Sequence, residues 1–187
     1  MGLGTLFLGY FMLTNSTVGT ENLSFDISVD AVGLLLIVSA GIMLKTYSAR
    51  FYQVFNCAAA LIPISVFFTV YQLKLLEVFN LPVFGTVYHV LQLGWILLLW
   101  GFQDALFKAI GEIANTCELF VLESRLKICA RIFAIYAWIS TIYWILCFIA
   151  PNVFDPYSFY IQYLLYDLII FYQSVYLFKA WREIVFV

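Results

Sequence analysis

Residues 157–179 read YSFYIQYLLYDLIIFYQSVYLFK. As a helix this run is long enough to cross a bilayer, because about twenty residues at 1.5 Å each span the ~30 Å hydrocarbon core. One ionisable side chain, Asp167, stands near its middle. A charged Asp at the centre of a spanning helix costs about 2.5–3.5 kcal/mol on insertion scales, so it requires a partner, a proton or a purpose. The remainder of the chain reads as the bundle that supplies one of these.

Composition sets the class. The 187 residues are 65% hydrophobic, 20% aromatic and 11% charged, with a mean hydropathy of +0.99. Soluble domains carry about 25% charged residues. So few charges cannot cover a water-facing surface, whereas lipid needs no such cover. The formal net charge of −2 offers no basic surface for nucleic acid. No stretch is polar enough to fold separately in water, so residues 1–187 are expected to form one integral membrane domain in contact with the lipid bilayer.

Hydropathy predicts an all-α polytopic transmembrane bundle of about six spanning helices. The crossings are expected at 2–18, 31–45, 52–73, 83–102, 132–150 and 157–179. The first needs the polar residues after Leu13 to reach full length, and a merely embedded first helix is the alternative. It lacks the basic n-region of a signal peptide. Its residues GLGTLFLGYFML (2–13) resemble the N-termini of small, uncharacterised multi-pass membrane proteins of Gram-positive bacteria. The resemblance implies a bacterial membrane protein and brings no activity with it.

Thr20–Asp30 is expected as a loop, with Asp26, Ser28 and Asp30 suited to the N-terminus of the second helix, where carboxylates meet unpaired N–H groups and the positive dipole end. Gly33, Ala40 and Gly41 allow a neighbouring helix to approach closely. Pro63 predicts a kink near Ile62 in the third crossing. In the segment 104–124, Leu106, Ile110, Ile113, Cys117 and Phe120 recur at helical spacing, opposite Lys108, Glu112, Asn115 and Glu123. That pattern predicts a cytoplasmic amphipathic helix between the fourth and fifth crossings, lying on the membrane, packing under the bundle or docking a protein partner.

Basic residues orient the bundle. With six crossings and both termini cytoplasmic, Lys45, Arg50, Lys108, Arg125, Lys127, Arg131, Lys179 and Arg182 all fall inside, and Lys74 alone falls outside. This satisfies the positive-inside rule, and Trp100, Trp181 and several tyrosines suit an interfacial belt. The expected location is the inner membrane of a bacterium.

Polar groups within the crossings mark a candidate site. Tyr160, Tyr163, Asp167 and Ser174 share one face of the sixth helix, and Gln162, Tyr166 and Gln173 share the next. His89, the single histidine, shares a face of the fourth helix with Gln92. At 1.5 Å per residue, His89, Gln92 and Asp167 lie roughly 9, 13 and 16 Å below the outer boundary. The expectation is a polar, ligand-binding pocket in the outer half, lined by Asp167, His89, Gln92, Tyr160 and Tyr163. The competing role for Asp167 is a protonated hydrogen-bond donor that holds helices together.

No metal site is expected, since Cys57, Cys117, Cys129 and Cys147 form no CxxC pair and read as small hydrophobes. No phosphate loop, HExxH or GxSxG motif occurs, and nothing calls for a cofactor. The functional expectation is a protein that binds or transports a small amphiphilic or lipid-like ligand, or the membrane subunit of a larger assembly. The alternatives are an intramembrane enzyme acting on a lipid or isoprenoid, which would need two converging polar groups, and a ligand-free scaffold.

Overall fold

In the computed structural model, residues 2–14, 17–20, 23–26, 30–72, 83–149 and 157–184 are described. They form six helices and one short hairpin: α1 (Gly2–Phe11), β1 (Thr17–Thr20), β2 (Leu23–Asp26), α2 (Asp30–Leu44), α3 (Phe51–Gln72), α4 (Val83–Thr116), α5 (Phe120–Ile149) and α6 (Tyr157–Glu183). The all-α bundle follows the hydropathy. Large apolar side chains stay on its outside along every helix, Leu35, Val66, Leu97, Ile139 and Leu164 among them. Polar Gln103, Gln173 and Ser174 are buried inside it. Such an arrangement is stable when the surroundings are lipid, and four helices (α3 to α6) are long and apolar enough to cross a membrane. The chain is built as an integral membrane protein.

Two of the six expected crossings are too short. α1 has 10 residues and α2 has 15, about 15 and 22 Å against a ~30 Å core. α1 does not continue to residue 18. Its last turn closes with Leu13 N–H on the Tyr10 carbonyl, and the Thr14 hydroxyl donates to the Phe11 carbonyl at 3.0 Å. The expected loop beyond it contains the antiparallel pair β1–β2, with Thr17 opposite Asp26 and Thr20 opposite Leu23. The hairpin packs beside α3 through β2.

The expected separate amphipathic helix at 104–124 is divided between two long ones. α4 runs unbroken through Lys108 and Glu112 to Thr116, and α5 starts at Phe120. The two form an antiparallel pair of about 51 and 45 Å. The apolar stripe of this segment is buried by neighbouring helices as far as Ile113, with Leu106, Ile110 and Ile113 at 0–4% exposure, whereas Cys117 and Phe120 are exposed at the α4–α5 turn. α3 also continues through Pro63, whose ring lies on the exposed face.

The helices give the bundle two unlike ends. The α2–α3 and α4–α5 turns, the start of α1 and the end of α6 share one end. Eight basic residues, from Lys45 and Arg50 to Lys179 and Arg182, lie at or towards it. The pairs Arg50–Glu112, Lys108–Asp104, Lys127–Glu123 and Lys179–Glu183 lie there too. Ser48 Oγ donates to Glu112 Oε2 at 2.7 Å and Arg50 Nε to Oε1 at 2.5 Å, which ties the α2–α3 turn to α4. The opposite end carries the starts of α4 and α6, and the shorter α2 starts within the bundle on that side. The sequence expectation at Lys74 lies outside the described residues.

Candidate functional site

The short first helix decides where the bundle is hollow. Gly9 and Gly33 bring α1 and α2 into backbone contact: a Cβ on Gly9 would stand 2.6 Å from the Gly33 carbonyl oxygen. Small residues permit this approach, and no side chain fits between. α1 then fills the basic half of the bundle. At its far end Tyr10 packs on Phe102 and Phe107 of α4, with ring centroids 6.4 and 5.9 Å away. The Tyr10 hydroxyl donates to Gln173 Oε1 on α6 at 2.5 Å, and Gln173 Nε2 donates to the Cys129 carbonyl on α5 at 3.0 Å. Tyr10 and Gln173 are both fully buried. This network pins α1, α5 and α6 together.

Beyond Tyr10 no part of α1 lines the space, and a partly enclosed cavity of about 90 Å³ opens. Its wall begins one turn past Phe102 on α4, at Leu99, and one turn past Cys129 on α5, at Phe133. On α6 it begins two turns from Gln173, at Tyr166. Five helices contribute. α2 presents Asp30, its first residue; α3 presents Ser65, Phe68 and Thr69. α4 adds Tyr88, Gln92, Trp95 and Ile96; α5 adds Tyr136 and Trp144; α6 adds Gln162 and Tyr163. The wall is therefore part aromatic and part hydrogen-bonding. Ser65 is 2% exposed, and its hydroxyl has no partner among the described residues. An unmade buried hydrogen bond costs about 1–3 kcal/mol, so this hydroxyl favours a hydrogen-bonding occupant of the cavity.

The residues singled out in sequence fall in three positions. Gln92 and Tyr163 are on the wall, Tyr163 at its rim. His89 and Asp167 flank it: the His89 ring centroid is 5.7 Å from that of Trp144, and Asp167 lies within electrostatic reach of Tyr136 and Tyr166. The side chain of Tyr160 lies outside the described residues. The inward face of α6 runs through Gln162, Tyr166, Ile170, Gln173 and Leu177, so it is the face adjoining Asp167 that meets the cavity.

Asp30, Ser65, Thr69, Tyr88 and Tyr136 were not foreseen as wall residues. Two spacings carry the signal: Ser65 with Thr69, and Tyr88 with Gln92, each four apart on one helix face. Asp30 had a different clue. The apolar run after it, Ala31–Leu44, is too short to cross, so its N-terminal carboxylate has to start within the bundle. No group of three or more His, Cys, Asp or Glu with metal-binding geometry occurs among the described residues. All four cysteines are free thiols. Compared with known proteins, the chain matches no family, no curated protein and no solved structure.

Proposed function

We propose that this integral membrane protein binds a small ligand in the cavity beyond α1, in a role associated with transport. One observation carries this reading: hydrogen-bonding groups from five helices converge on an internal space, and one of them, the Ser65 hydroxyl, is buried without a partner among the described residues. Polar groups within membrane helices are costly and mark binding sites or substrate paths by default. Gln92 and Tyr163 act on the ligand directly. Asp167 and His89 act through Tyr136, Tyr166 and Trp144. The basic end faces the cytoplasm of a bacterium, on the positive-inside rule, which puts both termini inside and the cavity in the outer half. The resemblance of residues 2–13 to bacterial multi-pass proteins supports the same location.

Native mass spectrometry of protein released from mild detergent tests the site. Wild type is expected to retain a defined small molecule or lipid, and Ser65→Leu, which fills the space with a branched alkyl group, to lose it while keeping its helix content. Bare protein in both spectra, or the same molecule held by both, sinks the reading. A second role is favoured by the α4–α5 turn, where Phe120 and Val121 are 62% and 72% exposed at the basic end. There the protein acts as the membrane subunit of a larger assembly, with the docked partner on that turn. A co-purifying subunit released by Phe120→Ser supports it, and monodisperse wild type without one removes it.

A further inference from the structure

We infer that the cavity holds an uncharged group that both donates and accepts hydrogen bonds, a carboxamide or a hydroxyl, on a free solute or at the head of an amphiphile. The inference rests on the ligand-binding role proposed above and gives that ligand its polar chemistry. Ser65 and Thr69 stand about one turn apart on α3, with Phe68 inside that turn. The Phe68 ring packs on Tyr88 and Trp95 of α4, with centroids 5.3 and 5.8 Å away. Those two residues flank Gln92 by about one turn on either side. The α3 hydroxyls and the Gln92 amide therefore stand at one level of the cavity wall.

The Ser65 hydroxyl, 2% exposed, has no partner among the described residues. The Thr69 hydroxyl donates its hydrogen to the Ser65 carbonyl at 3.0 Å, so its oxygen is left to accept. The Gln92 amide brings both donors and an acceptor. A group that only accepts, such as a ketone, leaves these acceptor oxygens unmet, whereas a carboxamide or hydroxyl serves donors and acceptors together. A site with buried polar groups rejects an analogue that leaves them unpaired. An ion fits less well, because burying a charge is costly unless an opposite charge pairs with it. No Lys, Arg or His lines the cavity among the described residues, so an anion finds no such partner there. Asp30 on the wall and Asp167 beside it already have interactions within the chain, and a cation would have to compete for them. Size limits the occupant as well. An apolar cavity of about 150 Å³ accepts benzene, so about 90 Å³ suits a group of about five heavy atoms. A longer chain would have to leave past Tyr163, which is 41% exposed at the rim.

Propionamide, butanone, propionate and propionamidinium share one heavy-atom skeleton and differ in donors and charge, which makes them suitable probes. Their binding to the wild-type chain in nanodiscs is measured by saturation-transfer NMR, with empty nanodiscs as the blank. Propionamide is expected to bind about tenfold more tightly than butanone, and both ions more weakly than propionamide. Equal binding of amide and ketone overturns the hydrogen-bond selectivity, and tighter binding of either ion overturns the uncharged class. In both cases the ligand site itself stands. Binding by none of the probes overturns the site as well.

Because this comparison uses wild type alone, it stands even if a variant does not fold. Ser65→Ala keeps the space and removes the hydroxyl, and is expected to lower propionamide affinity about tenfold at unchanged helix content. Unchanged affinity in the folded variant overturns the inference, since Ser65 is the unpartnered group on which it stands. The source of the ligand is read by displacement. Decanamide displacing propionamide indicates the head group of an amphiphile whose chain passes the rim, and propionamide binding that decanamide leaves untouched indicates a free solute. Either result supports an uncharged hydrogen-bonding site.

Discussion

Glu118 stands at the most strained backbone position among the described residues, with φ at +60°. It ends α4 in a Schellman arrangement: Leu119 N–H bonds to the Ala114 carbonyl at 2.8 Å and Glu118 N–H to that of Asn115 at 3.0 Å. The left-handed conformation costs a residue with a Cβ about 1–2 kcal/mol, and glycine avoids this cost but loses more chain entropy on folding. The balance favours glycine. Glu118→Gly is expected to stabilise the bundle by about 0.5–1 kcal/mol in reversible denaturation from mixed micelles, and Glu118→Val to destabilise it. A loss of stability with glycine would mean that the Glu118 carboxylate does something at the turn beyond occupying it. The same residue explains why the α4–α5 break was illegible in sequence. Helix ends are read from Gly or Pro, and this turn, Thr116-Cys117-Glu118-Leu119, has neither.

Element lengths, more than residue types, separate what the sequence revealed from what it did not. The four long helices and the inward polar face of α4 follow from hydropathy and spacing, which is how Gln92 came to notice; on α6 the spacing singled out the face of Tyr163 and Asp167, and the adjoining face is the one that meets the cavity. The amphipathic period at 104–124 reports a face and is silent on whether the helix is one element or the ends of two. The cavity depends on where α1 stops, and that is set by its packing on α2, which a single sequence does not display. The contact Gly9–Gly33 makes this packing testable. A Cβ on Gly9 would stand 2.6 Å from the Gly33 carbonyl oxygen and 2.9 Å from Leu36 Cβ, and one on Gly33 would stand 2.7 Å from the Gly9 carbonyl oxygen. These are backbone and Cβ atoms, so the helices themselves have to separate, at about 1–3 kcal/mol. Gly94 on α4 has nothing within 4 Å of its added Cβ, and there alanine adds helix propensity of about 0.5–1 kcal/mol. Gly9→Ala and Gly33→Ala are therefore expected to destabilise, and Gly94→Ala to leave stability equal or higher, in the same denaturation assay. Parallel losses at all three glycines would remove close α1–α2 packing as the reason for Gly9 and Gly33.

At the scale of the whole molecule, the unequal ends bear on the proposed orientation of the cavity in the membrane. Charged pairs such as Arg50–Glu112 and Lys127–Glu123 are part-exposed at one end; surface pairs of this kind add about 0–1 kcal/mol each to stability. Their larger consequence is topological, since basic side chains resist transfer across the bilayer and stay on the cytoplasmic side. On the proposed orientation, a cavity near the other end is reached from outside, with α1, pinned by Tyr10 and Gln173, standing between it and the cytoplasm. The cysteines supply a native reporter. Cys117 is exposed on the α4–α5 turn, whereas Cys129 is buried and Cys57 and Cys147 are part-buried. A membrane-impermeant maleimide applied to intact spheroplasts expressing the wild-type chain is expected to leave Cys117 unlabelled. The same reagent is expected to label it in inside-out vesicles, with the modified peptide read by mass spectrometry. Labelling of Cys117 from outside would invert the bundle and make the cavity a site loaded from the cytoplasm. The ligand would then come from the cell interior and leave past α1.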